Sequence, residues 1–379
     1  MRRSTRYVHT GVTLLILSLA VHAAADQPSE PTAVLALAEK AADWQLAHLR
    51  PIDSIKTFRE ETSSSRSWQQ ATFYIGLTAL ADRSKQPRFA EAVLAQGRGE
   101  QWRLGDRKYH ADDHVIGQSY LWAAAHGAGK SAIAPLRQRF DEILTAPSQA
   151  GLSADGPAQC WDRWCWCDAL FMAPPAWVQL SQVTGDARYA AFSHQEFQAV
   201  TAFLYDRQEH LFFRDSRFFK QRDAQDRKLF WSRGNGWVFA GLARVLSALP
   251  ANDSARPFYE QLFKEMAAKL KTLQKADGYW SPSLLVIDGT PPESSGTGFF
   301  VYGMAWGIQA GLLDRATYEP VVRRGWAALE KAVAADGRLG WVQQVSDRPE
   351  QVLQTDTQFY GVGALLLAGA AVHDLYQAR

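Results

Sequence analysis

Ser294-Ser-Gly-Thr-Gly-Phe-Phe-Val-Tyr-Gly-Met-Ala-Trp-Gly-Ile308 is apolar nearly all round and dense in glycine. A helix without a polar face must be buried on most sides, and its small residues let neighbouring helices come close. Five other stretches share the pattern: Trp68 to Leu80, Asp112 to Ala125, Asp168 to Leu180, Trp231 to Leu246 and Thr357 to Ala371. Charged, amphipathic helices are predicted between them, among them Ala187–Leu204, Ala255–Gln274 and Tyr318–Ala335, with another at Ala33 to His48. Buried and exposed helices thus alternate at a spacing of roughly 45–70 residues, a supersecondary repeat. Six such hairpins can close into a ring with the apolar helices inside. The fold expected is all-α, a single (α/α)6 barrel over residues 26–379, with an open helical solenoid as the structural alternative. Strand signals are few; Gly278-Tyr-Trp-Ser and Gly340-Trp-Val-Gln are expected as short extended pieces.

Composition narrows the function. The chain of 379 residues is 47% hydrophobic, ample for a large core, and carries a formal net charge of +2 with both signs spread evenly. That leaves no basic stripe for nucleic acid. Fourteen Trp and twelve Tyr are many; such rings pack cores and also line sugar-binding clefts. Arg2, Arg3 and Arg6, the apolar run Val12 to Val21 and Ala23-Ala24-Ala25 together read as a signal peptide over residues 1–25. A periplasmic or secreted protein is expected, with no membrane insertion after signal removal, since no other segment reads as apolar enough to span a bilayer. It is expected to work as a monomer or weak dimer.

The chemistry gathers where the buried helices begin. Trp161-Asp-Arg-Trp-Cys-Trp-Cys-Asp168 crowds three indoles against one carboxylate. Burial favours the neutral acid while the start of a helix favours the anion, so Asp168 is poised for general acid–base work. The plainer role is an N-cap. Asp112 and Asp113 precede Gly117, and adjacent helical residues point about 100° apart, so only one of them can face the axis. That one and Asp168 would form the carboxylate pair on which glycosidic-bond chemistry depends; otherwise both are caps. His114 beside them reads as a structural hydrogen-bonder and is kept among the candidate substrate contacts, as is Tyr74 on the first buried helix. Trp231-Ser-Arg-Gly-Asn-Gly-Trp237 sets Arg233, a fork suited to a carboxylate, between two rings that could stack on a sugar; a buried salt bridge is the alternative. Glu293-Ser-Ser-Gly-Thr297 reads as a capped helix start. Arg214 and Asp215 fall in a loop expected over the funnel. All three cysteines, Cys160, Cys165 and Cys167, lie in the tryptophan stretch. Their spacing fits no zinc site; a Cys160–Cys165 disulfide would leave Cys167 a buried thiol.

The stretches Trp166-Cys-Asp-Ala-Leu-Phe-Met-Ala-Pro-Pro175, Trp231 to Trp237 and Glu293 to Thr297, in that order, resemble glycoside hydrolase family 105, the unsaturated rhamnogalacturonyl hydrolases, which are related to the unsaturated glucuronyl hydrolases of family 88. The similarity runs from about Trp68 to the C-terminus. It implies an (α/α)6 barrel without metal or organic cofactor, acting on lyase-generated oligosaccharides that end in a 4,5-unsaturated uronic acid. Asp168 would protonate C4 and help water add at C5; the hemiketal then opens and releases the next sugar. The second carboxylate falls on the Asp112–Asp113 pair, with Asp112 favoured. Trp166, Trp231, Arg233 and Trp237 match positions lining the uronate subsite. Phe213-Arg214-Asp215 stands where some members carry a histidine, which leaves the sugar of the next subsite open: rhamnose by default, with ulvan, arabinogalactan or glycosaminoglycan products as alternatives. A conventional inverting glycosidase or a non-catalytic sugar-binding protein would be the competing functions on this barrel.

Overall fold

The computed structural model describes residues 30–50, 64–155 and 160–378; the expected signal peptide lies outside them. Thirteen α-helices are present among these residues: α1 (Pro31–Ala47), α2 (Trp68–Ala81), α3 (Pro87–Gly99), α4 (Gly117–Ala123), α5 (Ala134–Thr145), α6 (Ala169–Met172), α7 (Pro174–Thr184), α8 (Ala187–Leu204), α9 (Ser232–Ala248), α10 (Arg256–Thr272), α11 (Ser294–Gln309), α12 (Arg315–Ala332) and α13 (Phe359–Gln377). The apolar ones touch in a closed circuit: α2 packs on α4, α4 on α7, α6 and α7 on α9, α9 on α11, α11 on α13, and α13 back on α2. Outside the circuit α3 lies on α2, α8 on α7, α10 on α9, α12 on α11 and α1 on α13. The ring closes, so this is the (α/α)6 barrel and the open solenoid is excluded.

Glycine makes that circuit possible. A Cβ on Gly363 of α13 would stand 2.4 Å from the Thr72 carbonyl oxygen of α2, and one on Gly241 of α9 would stand 2.4 Å from the Leu170 carbonyl oxygen of α6. Backbones at such range exclude any side chain. Helix α13 corrects one expectation, because it is long and apolar enough by composition to cross a membrane. It spends that apolar surface in the core, against α11, α2 and α1.

Local structure departs from expectation in three places. The third buried helix is not continuous from Asp168 to Leu180: it breaks at Ala173, and α7 starts at Pro174. Proline lacks an N–H and its ring crowds the preceding turn, so a new helix begins where it stands. The second inner helix starts later than Asp112, because Ala111–Asp113 form a separate 3₁₀ turn. The segment after α8, expected as a loop, opens with an antiparallel hairpin of β1 (Tyr205–Asp206) and β2 (Leu211–Phe212). Asn235 at the start of α9 clamps this hairpin, accepting the Phe212 N–H at 2.8 Å and donating to the Phe212 carbonyl at 3.0 Å.

Candidate active site

Six inner helices that all run the same way bring their N-terminal ends together. Trp68 stacks on Tyr360 at 5.1 Å, across the start of α2 and the start of α13. The Arg233 guanidinium lies over both Trp231 and Tyr360, at 4.4 and 4.6 Å. This end of the barrel is where the acids sit.

Asp168 stands directly before α6 and accepts no capping hydrogen bond from it. Its carboxylate is committed elsewhere. Oδ2 receives the Cys167 thiol at 3.4 Å and lies 3.7 Å from Arg214 Nε. Burial raises its proton affinity, opposed first by Arg214 and then by the Cys167 hydrogen bond. Burial also pushes the Cys167 thiol well up, so it stays protonated and donates. The backbone reinforces the arrangement, because Cys167 N–H donates to the Arg214 carbonyl at 2.8 Å. One loop thereby supplies the cation and fixes the residue before the acid. Arg214 is held in turn by Asp215 at 2.7 Å, which also binds Arg217 at 2.7 Å. Arg217 continues to Asp347 at 3.0 Å, and Asp347 to Arg348 at 2.8 Å. The result is a charged chain leading from the buried acid to a half-exposed rim.

The two neighbouring aspartates part company. Asp113 is gripped by Arg107, whose backbone N–H and Nη2 both reach it at 2.6 Å. A Cβ on Gly105 would lie 2.3 Å from its Cγ, so the carboxylate is wedged in a backbone cradle. Asp112 accepts no hydrogen bond on its side chain among the described residues. Its pKa is raised to about 7, chiefly by burial, with Asp113 and Asp168 adding to the effect and Arg107 and Arg214 opposing it. Asp112 is therefore the member of the pair within electrostatic reach of Asp168, and Asp113 is a structural ion-pair partner.

The rings fall into two groups. Trp161 and Trp166 meet edge to face at 5.4 Å, with Arg214 and Arg217 over Trp161 at 5.4 and 5.8 Å. Trp164 turns the other way, onto Trp177 and Phe192. Cys160 and Cys165 are disulfide-bonded and Cys167 is free and buried, so the bridge ties down the segment that carries Trp161 and Trp166.

Several candidate contacts lie deeper than the acids. Arg233 is fully buried, and its fork is engaged neither by a carboxylate nor by open space. It donates to the carbonyls of Gln343 at 2.7 Å and Gln344 at 2.9 Å, clamping the segment before α13. Trp231 donates its indole N–H to Gln343 Oε1 at 3.0 Å. Trp237 is enclosed by Trp68, Phe171, Phe299 and Tyr360. His114 packs edge to face on Phe140 and donates from Nε2 to the Lys108 carbonyl at 2.9 Å, on the side of Trp177. Tyr74 is buried in α2, its phenol pushed up to about 12 by burial and secondarily by Glu100. Glu293 caps α11 as expected, accepting from the N–H groups of Ser295 and Gly296. Among the described residues no cluster of three or more His, Cys, Asp or Glu could hold a metal ion.

His110 was not anticipated. Its Nδ1 accepts the Asp112 N–H at 3.3 Å, capping the 3₁₀ turn, and its ring lies 4.8 Å from Trp166. A histidine two residues before an acidic turn was the available signal. Cys167, expected only as a buried thiol, touches the central acid.

The profile of Glycosyl Hydrolase Family 88 matches residues 37–376. A protein of Alteromonas sp. (strain LOR), named unsaturated 3S-rhamnoglycuronyl hydrolase, is 42% identical over 347 residues, 88% of this chain and 84% of that one. A protein of Formosa agariphila with the same name is 37% identical over 343 residues, 88% of each chain. Among solved structures, one described as a glycosyl hydrolase family 88 protein from Bacteroides vulgatus superposes with a TM-score of 0.80 at 26% identity, over 92% of this chain and all of that one.

Proposed function

The chain belongs to glycosyl hydrolase family 88, and from that premise we propose that it removes a 4,5-unsaturated uronic acid from the non-reducing end of lyase-generated oligosaccharides whose next sugar is a rhamnose sulfated at O3. The observation that carries the reading is the pairing of two acids at one end of the barrel, Asp168 with Oδ2 held by the Cys167 thiol beside the charge of Arg214, and Asp112 with its proton retained near neutrality. Hydration of a vinyl ether needs a proton delivered to carbon and a water accepted at the neighbouring carbon. Asp168 gives its proton to C4, and as water adds at C5 the same carboxylate takes that water's proton; the neutral hemiketal then opens and the next sugar leaves. The close presence of Asp112 keeps a proton within the pair, since two carboxylates in one site resist losing both. Arg214, already beside Asp168, is placed to receive the uronate carboxylate.

The sulfated partner sugar is supported by the name carried by both relatives, in which we take 3S as a sulfate ester at O3, and by the rim. Arg217 and Arg348 are 36% and 49% exposed in their side chains and flank Asp347, a cationic approach for an anionic substituent. The arginine-bearing leader supports an exported enzyme acting where polysaccharide lyases release such fragments. The test is a comparison of substrates by loss of the conjugated near-UV absorbance. Ulvan-lyase products should be consumed faster than rhamnogalacturonan-lyase or glycosaminoglycan-lyase products. Equal or faster consumption of the unsulfated rhamnose series would return the assignment to rhamnogalacturonan, and cleavage of saturated oligosaccharides would indicate a conventional glycosidase.

A further inference from the structure

We propose that His110 is a substrate-binding residue whose Nε2–H donates to an oxygen of the unsaturated uronyl ring while its Nδ1 is spent on the protein backbone. The inference rests on the reading of the site given above and adds a residue to it. Three observations lead there. Nδ1 accepts the Asp112 N–H at 3.3 Å, so its lone pair is occupied and the proton of the neutral ring sits on Nε2. The ring is wedged between the two halves of the acid site: its centroid is 4.8 Å from Trp166, two residues before Asp168, and Nδ1 is 3.7 Å from Asp112 Oδ2. Finally, Nε2 has no hydrogen-bond partner among the described residues and is not among the buried orphaned atoms, while the side chain keeps 12% exposure. The donor is therefore unspent within the protein, on a side chain that still reaches solvent.

The ring also stays neutral. Burial, followed by the charge of Arg107, pushes its pKa down to about 3, and Arg214 acts in the same direction. A neutral donor does not compete with Asp168 as the source of the proton for C4. Nor does it repel the arginines that surround the site. It can hold a sugar oxygen at any pH where the acids work, which is what orientation of the vinyl ether toward Asp168 calls for.

Two isosteres separate the two nitrogens of His110. His110→Asn keeps an acceptor where Nδ1 caps the turn, and asparagine is a preferred N-cap, but it places nothing at Nε2. His110→Gln places an amide N–H near Nε2 and gives up the cap. With the whole chain and oligosaccharides from ulvan-lyase digestion, His110→Asn should melt with wild type yet lose about ten- to a hundredfold in kcat/KM, the loss of a hydrogen bond to a reacting ligand. His110→Gln should melt lower and recover part of that activity. If His110→Asn turns over at the wild-type rate and His110→Gln is impaired in proportion to its stability, the residue is only a cap and the proposal fails. The ring tautomer is read independently from long-range proton–nitrogen NMR of wild-type protein. A proton on Nε2 is expected, and a proton on Nδ1 overturns the assignment whatever the enzyme's substrate proves to be. Wild-type protein inert toward every unsaturated uronide would sink the functional reading, with the tautomer still deciding the geometry of His110.

Discussion

Replacing Asp112 by Asn should stabilise the protein, and replacing Asp113 by Asn should do the reverse. The folded state holds the Asp112 proton up to a pKa of about 7, whereas an unfolded aspartate loses it near pH 4. Between those values the folded state binds a proton that the unfolded state has released, so stability falls as pH rises through the window and is level above it. Three pKa units at about 1.4 kcal/mol each set an upper limit of about 4 kcal/mol. For a chain of 379 residues, an unfolding entropy of about 2.1 cal/mol/K per residue makes that about 5 °C in Tm. Asp112→Asn should therefore melt about 3–5 °C above wild type at pH 8 and level with it at pH 4, while losing turnover. Asp113→Asn leaves Arg107 without its bidentate partner and should melt below wild type at pH 8, by a few degrees for a loss of about 2–4 kcal/mol. The assay is thermal unfolding at one scan rate across pH 4–9. An Asp112→Asn difference that does not grow between pH 4 and 7, or a destabilised Asp112→Asn, would refute the claim that burial outweighs Arg107 and Arg214 at this carboxylate.

Other variants test the supporting groups. Cys167→Ala removes a donor from Asp168 Oδ2, so the acid should hold its proton more tightly. Activity falls when the pair loses its last proton, and the alkaline limb of kcat/KM should accordingly move to higher pH, by up to about one unit, with Cys167→Ser moving it less. Arg233→Lys cannot span the carbonyls of Gln343 and Gln344 together; it should cost about 2–4 kcal/mol, read as a lower midpoint in urea. Gly363→Ala puts a methyl 2.4 Å from the Thr72 carbonyl and should lower the same midpoint by about 1–3 kcal/mol without moving the pH profile.

The barrel was legible because full burial erases amphipathicity. Trp68 to Leu80 and Ser294 to Ile308 have no polar face to hide, and only the inside of a ring of helices accommodates six such segments. What was not legible depended on partners remote in the chain or on choices between neighbours. Nothing near Arg233 announces that its fork will clamp backbone carbonyls 110 and 111 residues further on. Asp112 and Asp113 differ only in which of them meets Arg107, and a one-residue change of phase in the 3₁₀ turn would exchange them. The break before Pro174 was written in the sequence and outweighed by the apolar run around it. Cys167 looked inert because its spacing suits no metal; its role comes from adjacency to Asp168 in a dry pocket, which composition does not disclose.

Proton delivery to carbon can be watched directly. With ulvan-lyase oligosaccharides in deuterated water, proton NMR should show the vinyl H4 signal fading in step with release of the next sugar and a single deuteron entering C4 from one face, all of it abolished in Asp168→Asn. Accumulation of free unsaturated uronic acid with its vinyl proton intact, or an Asp168→Asn variant that keeps turning over, would contradict it.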